Sequence, residues 1–198
     1  MTTFFTELKR GTAASHTALE ATYPFNTMMK PDIFDRQAYT QNLLILASFH
    51  NCVSKNIQKT KNKASLSEFI EAESVMRAVN QDLNALGRQP EYPDFPLIAQ
   101  PDSPESALAG AYVWMGSSMG ARILYRWLNH AGYEELPTAY YQQMITLGQH
   151  WPAFVEHGLD YVQRHNVDVD KCTEIANQLF DGLQVCANTL THQQQHPA

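Results

Sequence analysis

The stretch from Gly110 to Ala121 places small residues inside an otherwise apolar, helix-forming segment. Gly116 and Gly120 are four residues apart, so on a helix they lie one turn apart on the same face. Glycine inside a helix costs up to about 1 kcal/mol relative to alanine, so its repeated use needs a reason. The bare face serves either close packing against another helix or the approach of a large planar ligand to the backbone.

A second pattern near the start of the chain has the residue types of a metal site. His16 and Glu20 are four residues apart, so the carboxylate lies within reach of the imidazole and can orient it as a metal ligand. Lys9 precedes His16 by seven residues and falls on the same stripe, about 10 Å away. The spacing places His16 near the apolar face, where a plain core histidine is the other interpretation.

The elements that must position these residues are helices, because apolar residues recur at intervals of three and four and alternating segments are missing. Asp35 and Ser103 are predicted N-caps, and Gly87 and Gly132 are predicted helix stops. The expected helices run from about Phe5 to Tyr23, 35–57, 66–86, 104–131, 138–148, 151–165 and 170–190, with a surface connection at 55–63 and a proline-rich loop at 88–104.

Composition excludes several classes of protein. The 198 residues carry a formal charge of −6, which argues against the broad basic face of a nucleic-acid binder. The longest apolar run, Leu43 to Phe49, is too short to span a membrane, and the charged start does not read as a secretory signal. We expect a cytoplasmic, monomeric single domain at 1–191, followed by a polar, disordered tail at 192–198, with no nucleic-acid or membrane partner.

Two sequence motifs together resemble those of one family. The segment Lys9-Arg-Gly-Thr-Ala-Ala-Ser-His-Thr-Ala-Leu-Glu20, followed far downstream by Tyr112-Val-Trp-Met-Gly-Ser-Ser-Met-Gly-Ala121, is similar to the heme oxygenases, above all to the bacterial branch. That family shows a first-helix histidine and a Tyr-Val-x-x-Gly-Ser-x-x-Gly-Gly motif. The endings Trp151 to Phe154 and Ala176 to Phe180 also fit, so the resemblance covers nearly the whole chain.

The resemblance implies an all-α, single-domain bundle that holds heme between the first helix and a kinked distal helix. It also implies an enzyme with heme as both cofactor and substrate and with O2 as co-substrate. Heme would be cleaved at a meso carbon to biliverdin, carbon monoxide and ferrous iron. Electrons would come from an external donor such as a ferredoxin or a flavin reductase.

The resemblance also assigns roles to residues. His16 corresponds to the proximal ligand of the heme iron, and Glu20 to the acceptor for its other ring nitrogen. The catalytic, distal positions are Gly116, Gly120, Ser117 and Tyr112; the heme-binding positions also include Lys9 and Arg10, Ala121 and Arg122. Lys9 matches a position that pairs with a heme propionate.

The chain departs from the family pattern at two places. Ala121 replaces the second glycine of the expected pair, and we expect its methyl group near the ligand face. The basic residues that clasp the propionates from a late helix have no clear match around Trp151 to Arg164. Arg10, Arg122 and Arg126 are substitutes between which the sequence does not choose.

Three alternatives remain open at this point. One is a heme-binding or heme-sensing relative without turnover. Another is a di-iron protein, although no glutamate is followed three places later by a histidine. The last is a thiaminase-like hydrolase with Cys52, Cys172 or Cys186 as nucleophile. The other interpretation of these cysteines is that they are small, buried, apolar residues. The other histidines are expected at the surface or at helix ends: His50, His130, His150, His157, His165, His192 and His196.

Overall fold

The structure is a computed structural model that describes residues 3–59, 64–96, 98 and 102–195. Within these residues it contains helices and no β-strand, which confirms the predicted all-α class. The α-helices are α1 (Phe4–Glu20), α2 (Arg36–Lys59), α3 (Ala64–Ile70), α4 (Ala72–Ala85), α5 (Pro104–Ala131), α6 (Ala139–Gly148), α7 (Trp151–His165) and α8 (Val169–Gln195), and a short 3-10 helix spans Phe25–Thr27.

The long helix α5 forms the centre of the bundle and packs against α2, α3, α6, α7 and α8. Ser103 caps its start, since the Ser103 hydroxyl accepts a hydrogen bond from the backbone N–H of Ser106 at 3.0 Å. Gly132 ends it with a φ of 83°, in the left-handed region that glycine adopts without strain. Both predicted boundaries of this helix are confirmed. The helix is continuous past Gly116 and Gly120, and the kink stays a prediction.

The first helix, α1, lies beside α8. The Asn177 side-chain amide donates to the Gly11 carbonyl at 3.3 Å, and the His16 ring meets the Phe180 ring edge-on with 5.5 Å between centroids. Positions further along α1 therefore contact positions further along α8, so the two helices run in the same direction. The last helix thus supports the part of α1 that carries the histidine.

The predicted helix 66–86 is wrong as a single element. The structure divides it at Glu71, whose φ of 41° breaks the helical path between α3 and α4. The reason is tertiary: both helices pack against α2, but α3 also packs against α5 and α7, whereas α4 also packs against α6. The break lets the two halves follow different neighbours. The Gln143 amide donates to the Glu71 carboxylate at 3.0 Å across this junction.

Other helix ends differ from expectation by a few residues. The first helix ends at Glu20, short of the Tyr23-Pro24 pair. Asp35 is the cap of α2 as predicted, because its carboxylate accepts from the Ala38 N–H at 2.7 Å. Helix α2 continues to Lys59, into the predicted connection, whereas residues 60–63 lie outside the described chain. Helix α8 continues through Gln195, so 192–195 of the predicted tail are helical and 196–198 are not described.

Candidate functional site

His16 projects from α1 into open space. Its side chain is 56% exposed, and its Nδ1 lies 3.6 Å from Oε1 of Glu20, whose side chain is 66% exposed. The buried residue of this stripe is Thr12, one turn earlier, so the core-histidine interpretation of His16 is wrong. With Nδ1 on the Glu20 side and Phe180 against the ring, Nε2 on the opposite edge is the nitrogen placed to bind a metal.

The glycines of the chain divide into two kinds. A Cβ added to Gly110 would lie 3.0 Å from the Val53 side chain, and one added to Gly158 would meet the Phe5 ring at 2.5 Å. These are packing glycines. A Cβ on Gly116 or Gly120, in contrast, would have no other atom within 4 Å. Close packing against another helix therefore explains Gly110 but does not explain Gly116 and Gly120.

The two open glycines belong to a longer exposed stripe on α5, which we call the glycine stripe: Gly116, Met119, Gly120 and Ile123. These positions are three or four residues apart and so share one helical face. The side chains of Met119 and Ile123 are large and apolar, and these residues are 51% and 54% exposed. An apolar face with a flat, side-chain-free centre suits a flat apolar ligand.

Helix α1 meets α5 at Tyr112. The Phe5 ring stacks on the Tyr112 ring with 6.0 Å between centroids, and the Thr12 side chain lies near Tyr112. His16 lies four residues after Thr12, and Gly116 lies four residues after Tyr112. The histidine and the glycine stripe are thus each one helical turn from the same contact between the two helices. The structure brings both predicted motifs to one part of the bundle.

The two polar residues predicted on the distal side point toward the protein. The Ser117 hydroxyl donates to the Trp114 carbonyl at 2.7 Å. Tyr112 is half-buried, and burial raises its pKa. Their catalytic roles stay predictions. Their placement shows that the side chains on the glycine stripe itself carry no acid or base.

The basic residues expected near a carboxylate-bearing ligand are all exposed. Lys9 and Arg10 lie on α1 before His16, and Arg122 and Arg126 lie on α5 after Gly120. None of them takes part in an ion pair with a described residue. Each is therefore available to a ligand, and the structure does not choose between them.

Ala121 does not lie on the glycine stripe. It is only 5% exposed and belongs to the hydrophobic core. Its methyl group packs against protein, which differs from the expectation that it would lie near the ligand face. The reason is angular, since consecutive residues on an α-helix are rotated by about 100°. The replacement of glycine by alanine here adds core packing and leaves Gly116 and Gly120 bare.

The prediction that His50 lies at the surface or at a helix end is wrong. Instead of lying at the surface it is fully buried, and its Nε2 is 2.8 Å from the Tyr140 hydroxyl. Burial lowers the pKa of His50 to about 3, so the ring is neutral at physiological pH. A signal was available: His50 follows Leu43 by seven residues and precedes Val53 by three, on the inward stripe of α2.

The structure also bears on the rival sites. Cys172 and Cys186 are buried, and burial raises the pKa of the Cys172 thiol to about 12 and that of Cys186 and Cys52 to a lesser extent. A high thiol pKa disfavours the thiolate that a cysteine hydrolase needs. Among the residues described, no three His, Cys, Asp or Glu side chains are grouped to hold a metal. None of the described helices has the length and apolarity to cross a membrane.

A polar groove of about 410 Å³ between α4 and α6 is separate from this site. Its lining contains no residue of α1 or α5, and its arginine, Arg77, is paired with Glu73 at 2.8 Å. The lining residues are Ser74, Arg77, Ala78, Gln81, Ala139, Gln142, Gln143 and Thr146. The groove has no direct part in the arrangement of His16 and the glycine stripe.

Comparison with known proteins identifies the fold. No family model and no curated protein matches the chain. Among solved structures, the chain is similar to the heme oxygenase from Neisseria meningitidis, a structure determined with NO and CO bound. The TM-score is 0.69 at 24% sequence identity, over 96% of this chain and 92% of that one. The likeness extends over the whole bundle, and the chain has the heme oxygenase fold.

Proposed function

We propose that this protein is a heme oxygenase, which cleaves heme oxidatively to biliverdin, carbon monoxide and ferrous iron. The observation that carries the proposal is the open glycine stripe: a Cβ added to Gly116 or Gly120 would meet no atom within 4 Å, whereas Gly110 and Gly158 are packed. An exposed histidine with a carboxylate beside its ring lies on the neighbouring helix. In a fold shared with a heme oxygenase, these two features suit the two faces of a heme.

The residues present fit heme. His16 would bind the iron through Nε2, and Glu20 would favour the orientation that presents this nitrogen. The flat ring would lie against the glycine stripe, where Met119 and Ile123 offer apolar contact. Heme also carries two carboxylates, and Lys9, Arg10 and Arg122 are unpaired cations for them in a chain whose net charge is −6.

When bound, heme supplies both the iron that activates oxygen and the ring carbon that is oxidised. The protein's own part is to hold the ring and to keep strong acids and bases away from its distal face. Gly116 and Gly120 present backbone there, and the Ser117 hydroxyl donates its hydrogen bond to the Trp114 carbonyl. Protons then come from water on this exposed face.

The proposal includes an external source of electrons, a ferredoxin or a flavin reductase, and a cytoplasmic monomer as the working form. A heme-binding or heme-sensing protein without turnover is the competing function. The methyl group of Ala121 is buried in the core, which supports turnover because it leaves the glycine stripe uncrowded. A turnover assay distinguishes the two functions.

Hemin titration followed by single turnover tests the proposal. The unaltered protein should form a one-to-one complex with a Soret band, and His16→Ala should lose or radically change that band. His130→Ala is the matched control, because His130 is also exposed and its Nδ1 lies 2.6 Å from the Arg126 carbonyl of its own helix. An unchanged spectrum in His16→Ala would show that another residue binds the iron.

The second arm adds ascorbate or a reductase system to the complex under oxygen. Conversion to biliverdin, with release of carbon monoxide, supports the oxygenase. A complex that survives the reductant without bleaching would refute turnover and leave a heme-binding or heme-sensing protein.

A further inference from the structure

Ser118 lies on α5 directly behind the two open glycines. It is two residues from Gly116 and two from Gly120, and consecutive residues of an α-helix are rotated by about 100°. Ser118 is therefore about 160° around the helix axis from each glycine. It is buried, with an exposure of only 4%. Whatever touches Ser118 supports the glycine pair from the side opposite to the glycine stripe.

The residue that touches Ser118 is Gly148, the last residue of α6. A Cβ added to Gly148 would lie 2.6 Å from the Ser118 hydroxyl and 3.0 Å from the Ser118 Cβ. The hydroxyl can rotate aside, but the Cβ of Ser118 moves only with the backbone of α5. Because carbon atoms in contact are about 3.5–4.0 Å apart, a methyl group at position 148 requires α5 to move away by about half an ångström.

The backbone conformation of Gly148 does not itself require glycine. Gly87 and Gly132 have φ values of 74° and 83°, which other residues rarely adopt, whereas the φ of Gly148 is not positive. Gly148 is part of a helix, where alanine would be the better helix former. The close approach to Ser118 is therefore the structural reason for a glycine at this position.

Helix α6 is held in place, whereas α5 is open on one side. The Asp82 carboxylate accepts hydrogen bonds from two backbone N–H groups in the first turn of α6, and Leu147, beside Gly148, is fully buried. On α5, a Cβ added to Gly116 or Gly120 would meet no atom within 4 Å. Pressure at the back of α5 is therefore relieved most easily by movement of the glycine segment toward its open side.

We infer that Gly148 is a positioning residue: its missing side chain lets α6 hold Ser118, and with it the backbone of Gly116 and Gly120, back from the bound ligand. The inference rests on the proposed function, whose ligand is heme. A side chain at position 148 would make the heme cleft shallower without adding an atom to it. Outside its own helix, the added Cβ would meet no described residue but Ser118, so its effect passes through α5.

Gly148→Ala tests this inference, with Gly158→Ala as the matched control. Both variants add one methyl group to a close contact between helices, but at Gly158 the methyl group meets the Phe5 ring at 2.5 Å. In the ferrous CO complex, Gly148→Ala should shift the C–O stretching frequency, because the distal backbone lies closer to the bound CO. Gly158→Ala should leave this frequency unchanged. Hemin affinity should fall about tenfold in Gly148→Ala, as expected for crowding of the ligand.

Substitutions of Ser118 show whether the effect passes through this residue. Ser118→Gly removes both atoms that a methyl group at position 148 would meet, so Gly148→Ala should have little effect on the C–O frequency in that background. Ser118→Ala keeps the Cβ at 3.0 Å, so Gly148→Ala should still shift the frequency there. A full shift in the Ser118→Gly background would overturn the inference, as would equal spectra for Gly148→Ala and the unaltered protein.

A measurement without heme separates this inference from the proposed function. In the apoprotein, the amide NMR signals of Gly116 and Gly120 should move in Gly148→Ala and stay in place in Gly158→Ala. If Gly148→Ala does not fold while Gly158→Ala does, α5 does not yield toward its open side and the inference is wrong. Failure of the unaltered protein to bind hemin would refute the proposed function, whereas unmoved amide signals in Gly148→Ala would refute the inference alone.

Discussion

The Asp82 carboxylate of α4 accepts a hydrogen bond from the backbone N–H of Tyr140 at 2.8 Å, and a second from Ala139 at 2.9 Å. A side chain from one helix thus caps the start of another, since Thr138, at the N-cap position, makes no such bond itself. Asp82 is buried, and burial raises its pKa while the two N–H donors oppose this shift. The capping bonds also hold Tyr140 at the position from which it reaches His50.

We predict that Asp82→Ala lowers the free energy of unfolding by about 2–3 kcal/mol, because two buried N–H groups lose their acceptor. Urea denaturation of the apoprotein measures this. Asp35→Ala is the control, since Asp35 is an exposed cap that receives one bond from Ala38, and its loss should cost about 1 kcal/mol. Equal losses in the two variants would contradict the role given to burial.

Substitution of the open glycines should separate stability from function. Gly120→Ala adds a methyl group that meets no protein atom, so the apoprotein should gain up to about 1 kcal/mol from the better helix former. The same methyl should weaken hemin binding and slow biliverdin formation. Thermal unfolding and hemin titration check the two halves. A more stable variant with unchanged hemin binding would show that heme does not lie on the glycine stripe.

Gly158→Ala should behave in the opposite way. The added Cβ would meet the Phe5 ring at 2.5 Å, in a contact where α7 packs on α1 and α5. Overpacking of this kind costs about 1–3 kcal/mol. The midpoint of urea unfolding should fall, and any hemin that binds to the folded fraction should give an unaltered Soret band. A stable Gly158→Ala variant would show that Phe5 rotates aside.

His50 predicts a dependence of stability on pH. Its pKa of about 3 in the folded protein is below the ordinary value of about 6.5, so the unfolded chain binds an extra proton between these values. Stability should therefore be complete above about pH 6.5 and fall by about 1.4 kcal/mol per unit as the pH decreases toward 3. His50→Gln keeps a side chain that can hydrogen-bond with Tyr140 and removes the titration.

Urea denaturation at about pH 7 and about pH 5 should then show a smaller loss of stability in His50→Gln than in the unaltered protein. Asp82 titrates in both proteins, so its contribution cancels in the difference. Equal losses in the two proteins would mean that water reaches His50.

How much of the molecule the sequence predicts depends on the range of the interaction that decides each feature. Ser103, Pro104 and Gly132 define α5 at both ends, because capping and turn preferences act over a few residues. The break at Glu71 is set by four helices that α3 and α4 contact, none of which is visible in the local pattern. Existence of a helix is a local property, whereas its division is a tertiary one.

The features of the site also differ in whether local sequence predicts them. The spacing of His16 and Glu20, and of Gly116 and Gly120, predicted which side chains share a face, and the structure agrees. The contact between the Phe5 and Tyr112 rings joins residues that are distant in sequence, so spacing carries no information about it. The surface prediction for His50 is wrong because it follows the polarity of histidine, whereas the position of His50 on the apolar stripe of α2 decides its burial.

The burial of the cysteine thiols determines how readily oxidants attack them. Peroxide and related oxidants attack the thiolate, and with a pKa of about 12 only about one Cys172 side chain in 10⁵ is ionised at neutral pH. Cys186 is likewise buried with a raised pKa. Both cysteines are therefore protected from such oxidants. Exposed sulfur is oxidised instead, and under the proposed function Met119 on the glycine stripe would lie beside the bound heme.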